Sequence, residues 1–346
     1  MKFLPLNRCS LLPGAIQWLY AAPALAMMAL INAVPIGQTF YLSRDFSRLV
    51  SDGRLATVLW NTGVFTFWTV SFELVLGLAI ALLLTRPFRG RGFVRAAVLI
   101  PWALPTAVMA MAWRWIFNSE YGVLGDLLYR AHLSATPQIP WLASPGLAMF
   151  ACILADVWKT TPFMAILLMS GLAVIPKDLY EAADIDGAGP VRQFFLITLP
   201  LLMPTITLAA LFRAIQSFGV FDLIWVLTGG GPGGRTQMIA LYVYDTVFRY
   251  QDIGYGCTLT LVMASCLFAF AGGMHLLLRR RRGEQLGEAL GRERDVLLLI
   301  ERLAASPSLA CGAKAARRAL SVLKSRRKRL AFRADALGAR LHAGGA

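Results

Sequence analysis

The chain has 346 residues, 57% of them hydrophobic and only 15% charged, with a mean hydropathy of +0.60. A soluble domain carries about 25% charged residues, so this composition excludes a water-exposed globule and points to a polytopic membrane protein. The net charge of +15 does not indicate nucleic acid, because many basic residues flank apolar runs or lie in the final stretch, as in cytoplasmic loops and tails.

Apolar runs near the ~20 residues needed to cross a bilayer predict six spans, at 15–37, 59–84, 94–117, 147–175, 201–228 and 257–278. The first follows Lys2 and Arg8. It is longer than the ~7–15-residue apolar core of a signal peptide and has no convincing cleavage site after it, so it is expected to be a retained helix. Basic residues on one side of the spans (Lys2, Arg8, Arg86, Arg89, Arg91, Arg95, Lys177, Arg192 and Arg279 to Arg282) outnumber those on the other. The excess predicts that both termini are cytoplasmic. From Gly283 onward the composition turns to Ala, Arg and Leu, with the basic run "KSRRKRL". That tail reads as amphipathic helix against anionic lipid or as a disordered segment, with a regulatory or nucleic-acid-binding module as the sharper alternative. The organisation expected is an N-terminal segment at 1–58, a five-helix core at 59–282 and the basic tail at 283–346.

Between the fourth and fifth spans lies "EAADIDGAGPVRQFFLITLP", acidic and glycine-hinged in an apolar neighbourhood. A short helix is expected from Asp178 to Asp186, ended by the Gly187–Ala188–Gly189–Pro190 turn. A second short piece, 191–199, follows, and Pro200 is expected to open the next span. The apolar side chains of such a segment are unfavourable in water unless something covers them. Folding back on the spans is one way to cover them, and docking to a partner is another.

The spacing Glu181-Ala182-Ala183, three residues, Gly187, nine residues, then Ile197-x-Leu199-Pro200 resembles the cytoplasmic loop signature of permease subunits in binding-protein-dependent ABC importers. The stretches "IPWALPTAVMAMAWRWIFN", "DVWKTTPFMAILLMSGLAVIPKDLYEAA" and "FDLIWVLTGGGP" agree with it, and the likeness covers about 59–280. It is closest to the branch importing maltose-like oligosaccharides, other sugars and glycerol phosphates. The tail after Gly283 lies outside the likeness. The resemblance implies an all-α type I importer permease fold with six transmembrane helices in the bacterial inner membrane. It further implies a coupling loop at 176–200, in which Glu181, Ala182, Ala183, Asp186, Gly187, Ile197, Leu199 and Pro200 meet an ATPase subunit. The implied partners are a second homologous permease, two ABC ATPase subunits that carry ATP and Mg, an extracytoplasmic solute-binding protein, a carbohydrate and membrane lipid. No cofactor is expected on this chain, and no nucleic acid.

Polar groups within spans are functional candidates by default. Asp156 and Lys159 are three apart on one predicted helix, close enough to pair, and Thr160 and Thr161 follow. Arg213, Gln216, Ser217 and Asp222 interrupt the fifth run, and Trp102 and Thr106 sit beside Pro101 and Pro105. Aromatic faces with hydrogen-bonding neighbours suit a polyhydroxylated ligand. By the resemblance, the sugar site falls on Trp102, Thr106, Asp156, Lys159, Thr160, Phe163, Gln216, Ser217 and Val220. Asp156 and Lys159 stand equally as an internal ion pair or as ligand contacts, and Lys159 and Arg213 leave room for an anionic ligand. Glu73 is expected to pair with a neighbour.

Other chemistry finds no support in the sequence. "TGGGPGG" lacks the G-K-[ST] that a phosphate-binding loop needs. The three histidines and five cysteines show no metal-ligand or disulfide spacing, and no nucleophile–base pair stands out, so the chain is not expected to be an enzyme. The alternative function is a secondary transporter or channel without an ATPase, using Asp156 and Lys159 as an ion or proton site.

Overall fold

In a computed structural model, residues 14–43 and 45–273 are described, and every regular element among them is helical. The order is α1 (Gly14–Leu42), α2 (Phe46–Ser51), α3 (Gly53–Thr85), α4 (Arg91–Ala103), α5 (Thr106–Ile116), α6 (Val123–Arg130) and α7 (Pro145–Ala173). Then come α8 (Asp178–Ile185), α9 (Pro190–Gln193), a π-helical turn (Phe194–Thr198), α10 (Leu199–Phe218), α11 (Asp222–Leu227) and α12 (Ile239–Tyr244). A second π turn (Asp245–Arg249) and α13 (Ile253–Gly273) complete the series. The chain divides into two compact units, Met1–Leu267 and Phe268–Ala346. Of the second, only the end of α13 is described, so the predicted basic tail lies outside the described residues.

Among the described residues, five helices are long and apolar enough to span a bilayer, and the α4–α5 pair makes a sixth span if its two halves are one crossing. Apolar helices lie at each of the six predicted positions, with three corrections. The predicted third span, 94–117, is not one helix. It bends by 90° between α4 and α5. Pro105 has no N–H to continue the ladder and pushes Leu104 to extended backbone (φ −71, ψ 136). The fifth span starts at Pro190 rather than at Pro200 and runs unbroken to Phe218. Pro200 is accommodated because the helix widens just before it, where the Leu199 amide donates to the Phe194 carbonyl five residues back. The same span ends at Gly219, so that α11 is a separate short helix. Pro162, by contrast, leaves α7 continuous.

Helices in lipid gain little from hydrophobic exclusion and associate through close packing of small residues. A Cβ on Gly77 would lie 2.7 Å from Met164 Cγ, and one on Gly171 would lie 2.6 Å from Thr205 Oγ1. These two glycines let α3 approach α7 and α7 approach α10. Met164, Leu168, Leu202 and Ala81 fill the space between them. A second cluster, around Phe65, Phe117, Trp141, Leu223 and Leu227, packs α5, α7 and α11 together. The result is that α7 is the most enclosed span, while the apolar side chains of α1 from Ala22 onward are largely exposed.

Candidate functional site

The two helix breaks and α7 converge on one cavity of about 460 Å³. The α4–α5 break contributes Trp102 and Thr106, α7 contributes Asp156, Lys159 and Thr160, α10 contributes Arg213 and Gln216, and the Gly219–Leu223 stretch closes the wall. Broken spans are where backbone polar groups can face a cavity rather than lipid. Trp102 offers a flat aromatic wall, stacked on Phe163 with ring centroids 5.6 Å apart and an interplanar angle of 13°.

Behind this wall lies a buried ionic cluster. Arg213 donates from Nε to Glu73 Oε2 (2.6 Å) and from Nη2 to Glu73 Oε1 (2.6 Å), a bidentate pair. Nη2 also reaches Asp156 Oδ2 at 3.1 Å and Ser217 Oγ at 3.0 Å, and Nη1 reaches Gln216 Oε1 at 2.9 Å. The Thr160 hydroxyl donates to Glu73. Side-chain exposure is 4% for Arg213, 0% for Glu73 and 8% for Asp156. Such a cluster persists only if each charge finds a partner, and here α3, α7 and α10 each supply one charge.

The predicted Asp156–Lys159 ion pair does not form. Asp156 pairs with Arg213, and Lys159 donates from Nζ to the Leu104 carbonyl at 2.6 Å. The proline-induced break leaves that carbonyl without a helical partner, and the lysine is long enough to reach it. Both cations expected to leave room for an anionic ligand are thus engaged by protein groups. Glu73 pairs with Arg213, as its burial requires. Of the nine residues predicted to line the sugar site, Trp102, Thr106, Asp156, Lys159, Thr160, Gln216 and Val220 line this cavity. Phe163 instead backs Trp102, and Ser217 is buried against Arg213. Arg213 and Asp222, singled out as polar candidates but not placed at the sugar site, also line the cavity, together with Gly219, Phe221 and Leu223. The signal for Arg213 was present, since a lone cation in an apolar run needs a carboxylate on another span.

The predicted coupling segment is a helical hairpin. The α8 helix ends in a Schellman turn: the Ala188 amide donates to the Ala183 carbonyl (2.9 Å) and the Gly187 amide to the Asp184 carbonyl (3.0 Å). Gly187 has φ +71, and a Cβ added to it would meet nothing within 4 Å, so it is there for the bend and not for close packing within this chain. Gln193 Nε2 ties the hairpin by donating to Asp184 Oδ1 (2.5 Å), and the hydroxyls of Tyr180 and Thr198 bond at 2.9 Å. Ala183, Asp186 and Ile197 line a small hollow inside it. Glu181 is exposed, and its carboxylate has no hydrogen-bond or ion-pair partner among the described residues. Ile185 (87% exposed), Val191, Phe195 and Leu196 present an uncovered apolar face. Leu199 and Pro200 belong to the transmembrane helix that rises from it.

At the opposite end, Asp52 caps α3 through the Arg54 amide (2.9 Å) and accepts hydrogen bonds from the Tyr242 hydroxyl (2.7 Å) and the Tyr255 hydroxyl. Burial pushes the Asp52 carboxyl up, but the two hydroxyls and the cap amides together hold it below the usual carboxylate range. Tyr242 is pushed up to about 12 by burial and by its bond to that carboxylate. Arg48 donates to Asp252 at 2.6 Å and holds that carboxyl low. The glycine run that lacks a phosphate-loop signature, Gly229–Gly234, adopts positive φ at Gly229, Gly230, Gly233 and Gly234, which explains its composition without any phosphate.

Residues 73–283 match the model of the family described as "binding-protein-dependent transport system inner membrane component", a stretch that holds every cavity and hairpin residue named above. The chain is 39% identical over 269 residues to the trehalose/maltose transport system permease protein MalF of Thermococcus litoralis, covering 73% of this chain and 90% of that one. It is 38% identical over 262 residues to the sulfoquinovosyl glycerol transport system permease protein SmoG of Agrobacterium fabrum, covering 71% and 84%. Among solved structures, its fold is similar to a chain of a bacterial ABC transporter involved in the import of the acidic polysaccharide alginate, with a TM-score of 0.68 and 20% identity over 77% of this chain and 96% of that one. The protein therefore belongs to the inner membrane components of binding-protein-dependent transport systems, as a multi-pass permease.

Proposed function

We propose that the chain forms half of the translocation pathway of an ATP-driven carbohydrate importer. The observation that carries this reading is that one continuous helix, Pro190–Phe218, joins the two candidate sites. Its lower end is the hairpin with the uncovered apolar face, and its upper end holds Arg213 and Gln216 at the cavity. A partner that grips the hairpin therefore has a rigid lever on the cavity wall. The partners expected are two ATPase subunits carrying ATP and Mg, a second homologous permease and an extracytoplasmic solute-binding protein. The hairpin faces the cytoplasm in this reading, with both termini on the same side, in line with the excess of basic residues there. Glu181, Gly187 and the neighbouring apolar side chains meet the ATPase. Trp102, Thr106, Asp156, Lys159, Thr160, Gln216 and Val220 line the path of the sugar, with Phe163 and Ser217 supporting them.

Carbohydrate is favoured because an aromatic plane beside several hydrogen-bonding groups matches the alternating apolar and hydroxyl faces of a sugar ring, and because the relatives named above include permeases for trehalose/maltose and for sulfoquinovosyl glycerol. A pump-free transporter working through Asp156 and Lys159 is disfavoured because the chain matches a family of binding-protein-dependent transport components. The test is affinity capture of the tagged chain from its native membranes, beside a Gly187→Asp variant, followed by uptake of labelled disaccharides. Wild type is expected to bring down an ATPase and a second permease. The variant, strained in the left-handed region by about 1–2 kcal/mol and charged at the docking face, should keep the second permease and lose the ATPase. Wild type captured alone would sink the importer reading.

A further inference from the structure

The charges around the cavity decide what kind of sugar it takes. Two cations face it, Arg213 and Lys159, and both are engaged by groups of this chain. Arg213 is held by Glu73 and Asp156 with 4% of its side chain exposed. Lys159 is bonded to the Leu104 carbonyl and lies within the attraction of Asp156 and Asp222. Three carboxylates (Glu73, Asp156 and Asp222) thus stand against two cations. The surplus negative charge is placed where a ligand meets it. Asp222 lines the cavity, is exposed, and makes no hydrogen bond or ion pair among the described residues. It sits in the first turn of α11 beside Gly219 and Phe221, which carry no competing donor side chain. A free carboxylate accepts hydroxyl hydrogens strongly and repels a second anion.

We infer that this cavity selects an uncharged, hydroxyl-rich saccharide and turns away anionic ones, with Asp222 as the acceptor that sets the preference. This rests on the carbohydrate reading above and narrows it. The relatives leave the charge open, since one structural neighbour imports an acidic polysaccharide and a sequence relative is a trehalose/maltose permease. Here the distinction follows from side chains of this chain alone, whatever the solute-binding protein prefers.

The test is saturation-transfer NMR on the purified transport complex, with the solute-binding protein omitted, because the method reads weak binding of unlabelled sugars to a large particle. The probes are trehalose and maltose, each beside a glucuronate-containing disaccharide of the same size. Wild type should bind the neutral disaccharides roughly tenfold more tightly than the acidic ones, and Asp222→Asn should weaken the neutral binding about tenfold and narrow that gap. Trp102→Ala should abolish the signal for both. Acidic sugars bound as well as neutral ones by wild type, or a gap unchanged in Asp222→Asn, would overturn the selectivity while leaving the carbohydrate reading intact. No Trp102-dependent signal from any saccharide would overturn the carbohydrate reading, and the selectivity with it. Size-exclusion profiles of the variant complexes check that assembly is unchanged.

Discussion

At its upper end the Pro190–Phe218 helix carries Arg213, whose guanidinium is bonded by Glu73, Asp156, Gln216 and Ser217 from three helices. At its lower end the same helix leaves Val191, Phe195 and Leu196 facing outward, beside Ile185 of α8. The upper region is satisfied by groups of this chain, and the lower one presents side chains that no part of the described chain covers. The described chain thus closes on itself at one end and leaves apolar side chains uncovered at the other. The same contrast separates the hairpin from the Asp52–Tyr242–Tyr255 clasp, which is also closed on itself.

The largest effect should come from opening the closed region. Arg213→Met leaves Glu73 and Asp156 as uncompensated buried carboxylates and should destabilise the chain by about 3–5 kcal/mol, read as a lower thermal midpoint of the purified complex. The double change Glu73→Met with Arg213→Met should recover part of that loss, because it removes both halves of the main pair. If the single variant were as stable as wild type, the cluster would not be the structural tie described. The outer clasp should give a smaller response. Asp52→Asn removes a cap and two charge-assisted bonds, an effect of about 1–2 kcal/mol. Because the folded protein holds this carboxyl low, its contribution is complete above the unfolded value near pH 4 and fades as pH falls through the lower folded value. Thermal midpoints measured on the acid side should therefore converge for wild type and Asp52→Asn, and stay apart at neutral pH. The smallest effect on stability should come from the hairpin. Ile185→Ser or Phe195→Ser should change stability by no more than about 0.5 kcal/mol, leaving the thermal midpoint nearly unmoved, yet lose the ATPase in affinity capture. A large destabilisation there would mean that this face is covered within the chain after all.

The helices themselves were readable from apolar run length, and most of the cavity wall from motif positions. The sequence also placed Gly187 at a helix end, and its φ of +71 fits that position. Three things were not readable, each for a physical reason. The 90° bend at Leu104 depends on what receives the freed carbonyl, and Lys159 is 55 positions away. Asp156 found Arg213 rather than Lys159 because a planar guanidinium on a facing helix satisfies two carboxylates at once, which spacing along one helix does not reveal. The early start of the fifth span was hidden because Pro200 looks like a first-turn proline, yet it lies inside a helix that widens to admit it.

That widening has a geometric consequence. A π turn adds one residue to a helix, and each residue of an α-helix advances the side-chain direction by roughly 100°. Phe194–Thr198 therefore sets the azimuth of everything below it relative to everything above. Deleting one residue there would let the helix close to an ordinary ladder with its flanks nearly in phase, whereas closing the turn with every residue kept would swing the hairpin by about 100° around the common axis. The apolar face would then point elsewhere while the Arg213 side of the cavity stayed in place. The angular relation between the hairpin and the cavity is set by one short turn of a single helix.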